Sequence, residues 1–190
     1  MQSQFRPAVV TLVIFTLITG IVYPVLITGI AQLIFPHQAS GSLIVQNGRV
    51  IGSELVGQFF DNPRYFWGRP SATTPFPYNA AASMGSNLGP TNPALIKGVK
   101  ARIALLKAAD PMNNSPIPVD LVTASGSGLD PNISVAAALY QIPRVSKTRG
   151  LSEEAVQALV DSHIEEKQFI MLGEPRVNVL ELNLALDEIK

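Results

Sequence analysis

A long apolar run near the start of the chain dominates its hydrophobic pattern. From Pro7 to Phe35 the sequence contains no charged residue. A helix of about 20 residues crosses a hydrocarbon core about 30 Å thick, so this run is long enough to span a membrane. It is also longer than the apolar core of a cleaved signal peptide, which is about 7–15 residues. The pattern predicts a transmembrane helix over residues 7–35, preceded by a short segment over residues 1–6.

Small or weakly polar residues recur at every fourth position of this predicted span. They are Thr16, Gly20, Pro24 and Thr28. Residues four apart share one face of a helix, and small residues on a face let a second helix approach closely. The alternative is that threonine and glycine are simply common in membrane helices. A helix–helix contact along these four residues is the interpretation we carry forward.

The charges beside the span predict its orientation. Arg6 precedes it, and the next charged residue along the chain is Arg49. The positive-inside tendency then places the N-terminus in the cytoplasm. Residues 36–190 are expected to form one globular domain on the opposite side.

The first half of that domain mixes turn signals with an extended stretch. Two β-rich runs flank an Asn-Gly pair and predict a hairpin over residues 42–51. Five prolines exclude long regular elements between residues 57 and 92. Asn92 followed by proline predicts the start of a helix, and Asp110 followed by proline predicts its end.

The second half predicts further helices and short strands. Ser134 and Ser152 each precede a helical pattern, and Pro143 is expected to interrupt the first of these helices. Residues 119–123 and 169–172 each read as a short strand. Residues 177–186 alternate like a strand but favour, weakly, a helix capped by Asn178. Helices and short strands around one core indicate a mixed α/β domain of the α+β type.

Composition narrows the classes of function. Fourteen basic and fourteen acidic residues balance, which gives no electrostatic argument for binding nucleic acid. The absence of cysteine excludes disulfides, thiolate metal sites and a cysteine nucleophile. The two histidines lie far apart in sequence and form no metal-binding motif, so no metal site is predicted.

A search for catalytic motifs finds no assembled active site. The phosphate-binding pattern G-x-x-x-x-G-K-[ST] does not occur. A glycine–serine loop formed by Ser125, Gly126, Ser127 and Gly128 could expose backbone N–H groups to an anion, or could simply shape a tight turn. We therefore predict no catalytic residue, and keep these four residues as candidate anion or nucleotide contacts.

The proline-rich stretch also concentrates aromatic side chains between Phe59 and Tyr78. Tyr65, Trp67 and Arg69 supply, within five residues, the three residue types that most often anchor protein interfaces. They could dock the domain on a partner, or the rings could fill its core. Both interpretations stay open from sequence alone.

Several short motifs, in this order, resemble the C subunits of the Kdp potassium-transporting ATPase, the KdpC family. The most specific is Pro118-Val119-Asp120-Leu121-Val122-Thr123-Ala124-Ser125-Gly126-Ser127-Gly128-Leu129-Asp130. It is preceded by Gly68-Arg69-Pro70-Ser71-Ala72 and followed by Gln141-Ile142-Pro143-Arg144-Val145 and Asn178-Val179. The resemblance covers nearly the whole chain.

This resemblance implies a place in the bacterial inner membrane, with the domain on the periplasmic side. It implies partners: a channel-like A subunit (KdpA), a P-type ATPase B subunit (KdpB) and a small F subunit (KdpF), beside membrane lipid. The family is described as a catalytic chaperone that raises the ATP affinity of the B subunit, and a glutamine proposed to contact nucleotide corresponds here to Gln141. A cap over the potassium entrance is a second implied role.

The implied contact with ATP conflicts with the predicted topology, since ATP is cytoplasmic. We therefore expect no stably bound cofactor and regard direct ATP contact as doubtful. Two other classes of function stay open: a free-standing, membrane-tethered periplasmic binding protein, and an enzyme whose site the motifs do not reveal.

Overall fold

The computed structural model describes residues 4–189 and divides the chain into two units. The first ends at Ile51 and the second begins at Gly52. The first unit starts with a helix over Phe5–Ile34, which has 30 residues, a mean hydropathy of 2.4 and no buried position. One N-terminal helix with the length and composition of a membrane span is thus confirmed.

This helix has three sections. Helix α1 covers Phe5–Leu17, a π-helical turn covers Ile18–Val22, and helix α2 covers Tyr23–Ile34. The π turn lies just before Pro24, which has no N–H to donate to the carbonyl four residues earlier. A local switch to i→i+5 bonding, here from Tyr23 N–H to the Ile18 carbonyl, is a usual response to such a lost bond.

A short helix α3, Pro36–Ala39, leads into the predicted hairpin. Its strands are β1, Leu43–Gln46, and β2, Arg49–Ser53. The turn residues Asn47 and Gly48 have φ angles of 52° and 73°. Two positive φ angles define the type I′ turn that matches strand twist, which explains the Asn-Gly pair and confirms the hairpin.

The second unit contains four helices among its described residues. They are α4, Pro93–Ala109; α5, Val135–Arg149; α6, Glu153–Ser162; and α7, Val179–Glu188. Each begins at the predicted capping residue, whose side chain accepts a hydrogen bond from the first turn: Asn92, Ser134, Ser152 and Asn178. The ambiguous tail is therefore a helix, as favoured.

A small antiparallel sheet packs with these helices in the order β3-β5-β4. Its strands are β3, Asn132–Ser134; β4, Ile164–Glu165; and β5, Arg176–Asn178. Ile133 and Val177 are paired across the sheet and are almost fully buried. They join Leu182 and Leu186 of α7 and Val145 of α5 in one core. A mixed helix-and-strand unit is confirmed.

Three sequence predictions are wrong. Residues 119–123 form a 3-10 turn over Val119–Leu121, because the Val119 carbonyl accepts local bonds from residues 122 and 123. Helix α5 runs through Pro143, since proline removes only its own N–H bond while tertiary packing holds the helix. Residues 169–172 form a tight turn, described below, instead of a strand.

Candidate functional site

Two side-chain amides hold the extended backbone at Phe66 and Trp67. Asn183 of α7 accepts a bond from Phe66 N–H (2.8 Å) and donates one to the Phe66 carbonyl (2.9 Å). Gln141 of α5 does the same for Trp67, at 2.8 and 3.1 Å. Neighbouring residues of an extended chain point their N–H and C=O groups to opposite sides. The two amides therefore act like strand partners on either side of this segment, which we call the amide clamp.

Gln141 has no hydrogen-bonding capacity left over. Its Oε1 accepts from Trp67 N–H and from Arg144 Nη2, and its Nε2 donates to the carbonyls of Trp67 and Ala137. A primary amide offers two acceptor sites and two donors, so all four are occupied. The residue is 1 % exposed. The glutamine that the family resemblance links to nucleotide is thus fully used inside the chain.

Two guanidinium groups lie over the Trp67 ring. The Arg144 group is 4.4 Å and the Arg102 group 5.2 Å from the ring centre. Arg144 also donates to the Pro63 carbonyl, and Arg102 to the Leu121 and Gly68 carbonyls. Burial lowers the pKa of Arg144 to about 10 and lowers that of Arg102. Trp67 is 6 % exposed, so its ring fills the core and is not a surface anchor here.

The other two docking candidates each bond to a carboxylate near the surface, Tyr65 by a hydrogen bond and Arg69 by an ion pair. The Tyr65 hydroxyl donates to Asp187 (2.9 Å), and Arg149 pairs with the same carboxylate (2.6 Å) while lying over the Tyr65 ring. Arg69 pairs with Asp130 (3.1 Å) and donates to the Ala124 carbonyl. Tyr65 and Arg69 are half-buried and reach solvent, unlike Trp67.

The glycine–serine loop is bonded to the proline-rich segment. Ser71 Oγ donates to the Gly128 carbonyl (2.7 Å), and the Ser127 carbonyl accepts from Met84 N–H and Ser83 Oγ. Ser125 Oγ accepts from Gly128 N–H within the loop (2.9 Å), and Ser127 Oγ accepts from Leu129 N–H. The Ser127 and Gly128 carbonyls and both serine hydroxyls of the loop are thus engaged within the chain.

Gly128 shows why this loop needs glycine. Its φ is 68°, and a Cβ there would lie 2.6 Å from Thr73 Cγ2 and 2.7 Å from the Met84 carbonyl oxygen. Only glycine tolerates both the left-handed backbone and this approach. A tight, packed turn therefore explains Gly128 without an anion.

Tyr78 also packs closely against glycine residues. A Cβ at Gly57 or at Gly68 would lie 2.6 Å from its ring or its hydroxyl. The hydroxyl donates to the Arg69 carbonyl (2.7 Å). Burial, with the nearby Asp130 carboxylate, raises the pKa of Tyr78 to about 12.

An open groove of about 550 Å³ lies beside Arg69. Its walls include the edge strand β3, whose outward N–H groups at residues 132 and 134 are bonded to Asp130 and Asp120 carboxylates. The side-chain atoms Arg69 Nε, Asn132 Oδ1 and Arg176 Nε are buried along it and have no partner in the described chain. Since the carboxylates occupy the edge, the groove does not offer a free strand edge to a peptide.

The candidate packing residues of the span are all exposed in this single chain. A Cβ added at Gly20 meets nothing within 4 Å. The π turn over Ile18–Val22 includes Gly20, so the angular spacing between Thr16, Gly20 and Pro24 differs from that of a regular α-helix. Among residues 4–189, no group of three or more His, Asp or Glu side chains could hold a metal ion.

Comparison with known proteins decides the family. The family model described as "K+-transporting ATPase, c chain" (KdpC) matches residues 5–188. A protein of Methylococcus capsulatus named potassium-transporting ATPase KdpC subunit is 61 % identical over 190 residues, all of both chains. One of the same name from Herpetosiphon aurantiacus is 63 % identical over 190 residues, all of this chain and 98 % of the other. The chain belongs to the KdpC family.

This chain is thus a KdpC accessory subunit of the K+-transporting ATPase, a potassium-transport subunit with one candidate transmembrane helix. Sequence reasoning named Gln141 and Trp67 but missed Asn183 and the clamp itself. A signal was present, because Gln141 and Asn183 are amides within apolar helix segments. Nothing in the sequence paired them with residues 66 and 67, which are 117 and 74 positions away.

Proposed function

We propose that this chain is a non-catalytic subunit of the potassium pump that contacts its partners without contacting ATP. Its membrane helix packs on the A or B subunit, and residues 36–190 lie on the periplasmic side as a rigid cap at the potassium entrance of the channel-like A subunit. The small F subunit completes the assembly. Any effect on the ATP affinity of the B subunit then reaches the cytoplasm as coupling between distant sites.

One observation carries this proposal: Gln141 is 1 % exposed and makes four hydrogen bonds inside the chain. A nucleotide could reach it only if the clamp on Trp67 opened. Opening would leave the Trp67 N–H and C=O groups buried and unpaired, at about 1–3 kcal/mol for each group. Gln141 therefore serves the fold, and a loss of function on its substitution would follow from a loss of structure.

The topology supports the same conclusion. The 30-residue apolar helix is near the N-terminus, and the whole of the second unit follows it. ATP is hydrolysed in the cytoplasm, so a domain outside the membrane never meets it. The glycine–serine loop, the other nucleotide candidate, is bonded to the proline-rich segment through its Ser127 and Gly128 carbonyls.

The chain contains its own matched control for this proposal. Asn183 clamps Phe66 as Gln141 clamps Trp67, but it has no link to nucleotide. We expect Gln141→Leu and Asn183→Leu each to lower the melting temperature of the full-length subunit, since each leaves two buried backbone groups unpaired. In the assembled pump, the KM for ATP should respond to both variants alike, in proportion to the stability lost.

The proposal would be contradicted if the two variants differed in their KM for ATP. If Gln141→Leu raises the KM for ATP several-fold while an equally destabilised Asn183→Leu leaves it unchanged, Gln141 has a role in nucleotide affinity beyond folding. The proposal of a purely structural Gln141 would then be wrong.

A further inference from the structure

A turn of the second unit exposes four consecutive apolar side chains. The turn, Gln168–Leu172, is closed by two backbone bonds of 2.9 Å between Gln168 and Leu172. The exposed fractions are 83 % for Phe169, 91 % for Ile170, 79 % for Met171 and 55 % for Leu172. Large apolar side chains that cluster in a soluble unit are usually buried, whereas these four are mostly exposed to solvent. We call it the apolar tip.

The backbone holds the tip in this exposed arrangement. Phe169 and Ile170 have φ angles of 51° and 70°. Such angles are unusual for any residue with a side chain and especially for a β-branched one. Strained backbone of this kind persists where the surroundings enforce it, and it is frequent at functional sites. The positive φ angles of Phe169 and Ile170 are a second unusual feature of the same exposed turn.

We propose that the apolar tip inserts into the surface of the membrane that anchors this chain. The occupant is the acyl-chain boundary of a lipid leaflet. The tip is convex, and a fluid lipid phase needs no complementary pocket. It also lacks the tryptophan, tyrosine and arginine side chains that usually anchor protein interfaces.

The polar groups of the turn fit shallow insertion. Unpaired N–H and C=O groups are costly in hydrocarbon. Here Gln168 and Leu172 satisfy each other twice, and Ile170 N–H bonds to the Lys167 carbonyl (3.2 Å). Below the tip, the Lys167 ammonium pairs with Glu174 (3.0 Å) and Glu165 pairs with Arg176 (2.7 Å). Paired charges at the base of an apolar loop suit the level of the lipid headgroups.

The tether keeps lipid within reach. Residues 35–51 join the apolar helix to the second unit, and 17 residues cannot extend beyond about 60 Å. A unit of 139 residues, 52–190, has a radius of gyration of about 14 Å. A short tether raises the effective concentration of membrane at the surface of the unit, so a weak insertion is populated.

The test uses the natural absence of cysteine. Met171→Cys and Met112→Cys each place one thiol on the full-length chain, and both methionines are 79 % exposed. Each variant, labelled with an environment-sensitive fluorophore, is reconstituted into phosphatidylcholine vesicles with or without a lipid that carries a quencher at a known acyl depth. The protein can insert into the vesicles in either orientation without affecting the test, because the second unit then lies beside the outer or the inner leaflet, and both leaflets contain the quencher lipid. The emission maximum of Trp67, the single tryptophan, confirms that each variant is folded.

We expect the label at residue 171 to shift to the blue and to lose several-fold more intensity to the lipid quencher than the label at residue 112. Replacing Phe169 and Ile170 by serine in the Met171→Cys variant should abolish both effects. Equal quenching at both positions, or no quenching at residue 171, would overturn the proposal. A blue shift without lipid quenching would also overturn it, because it would assign the tip to contact with protein, either a second copy or a partner.

Discussion

At the scale of single residues, hydrogen-bond capacity separates structural roles from binding roles. Gln141 uses both acceptor sites and both donors within the chain, and Asn183 holds Phe66 in the same way. Trp67, an interface candidate by residue type, lies in the core in contact with two arginines. Residue type predicted that these positions matter, but their contacts come from segments distant in sequence. The capping residues were predictable because their partners lie two or three positions away.

Tyr78 gives a prediction that depends on pH. Burial raises its pKa to about 12, so the folded state favours the neutral hydroxyl that donates to the Arg69 carbonyl. The unfolded chain loses this proton near pH 10, the ordinary value for tyrosine. The stabilising effect is therefore complete below pH 10 and is lost as the pH rises towards 12.

Ultraviolet absorbance of tyrosinate can check this in the full-length subunit, which has four tyrosines. Burial also raises the pKa of Tyr140, so we expect two late-ionising tyrosines in the wild type. In Tyr78→Phe, the component that ionises near pH 12 together with unfolding should be lost, and that of Tyr140 should stay. An alkaline titration in which Tyr78→Phe removes an early component instead would contradict the account.

At the scale of secondary-structure elements, local chemistry predicted most boundaries. The Asn-Gly hairpin and the four helix starts follow from side chains within one turn. Two of the three errors involve contacts with other parts of the chain, whereas the turn at residues 168–172 is closed by its own backbone bonds. Residues 119–123 have strand-like composition but become a turn whose Asp120 carboxylate binds Ser134, and Pro143 is accommodated in α5. The π turn before Pro24 is likewise a response of the backbone that no periodicity encodes.

The prediction at the scale of elements concerns the packing face of the membrane helix. Gly20 and Gly29 both lie in the span, and a Cβ at either meets nothing within the chain. Gly20 belongs to the proposed packing face, whereas Gly29 follows Thr28 and points away from that face by about one hundred degrees. We expect Gly20→Leu to reduce the yield of A and B subunits that co-purify with this subunit, and Gly29→Leu to leave it close to wild type. Full recovery of partners with Gly20→Leu would mean that this face is not the interface.

At the scale of the whole molecule, the chain combines one apolar helix with a separately packed unit of helices and a small sheet. The order of the short sequence motifs indicated the KdpC family more clearly than the predicted secondary structure did. The match of the family model to residues 5–188 confirms that family. The side of the membrane on which the second unit lies remains our proposal. It rests on the charge beside the span and on the internal hydrogen bonds of Gln141.

The central claim is that this subunit influences the pump without touching ATP. It can be tested by photo-crosslinking with an azido-ATP on sealed inside-out vesicles containing the assembled pump, where nucleotide reaches only the cytoplasmic face. Labelling of the B subunit serves as the positive control. The account predicts that the B subunit is labelled and that this chain is not. Specific labelling of this chain near Gln141, competed by unlabelled ATP, would contradict it.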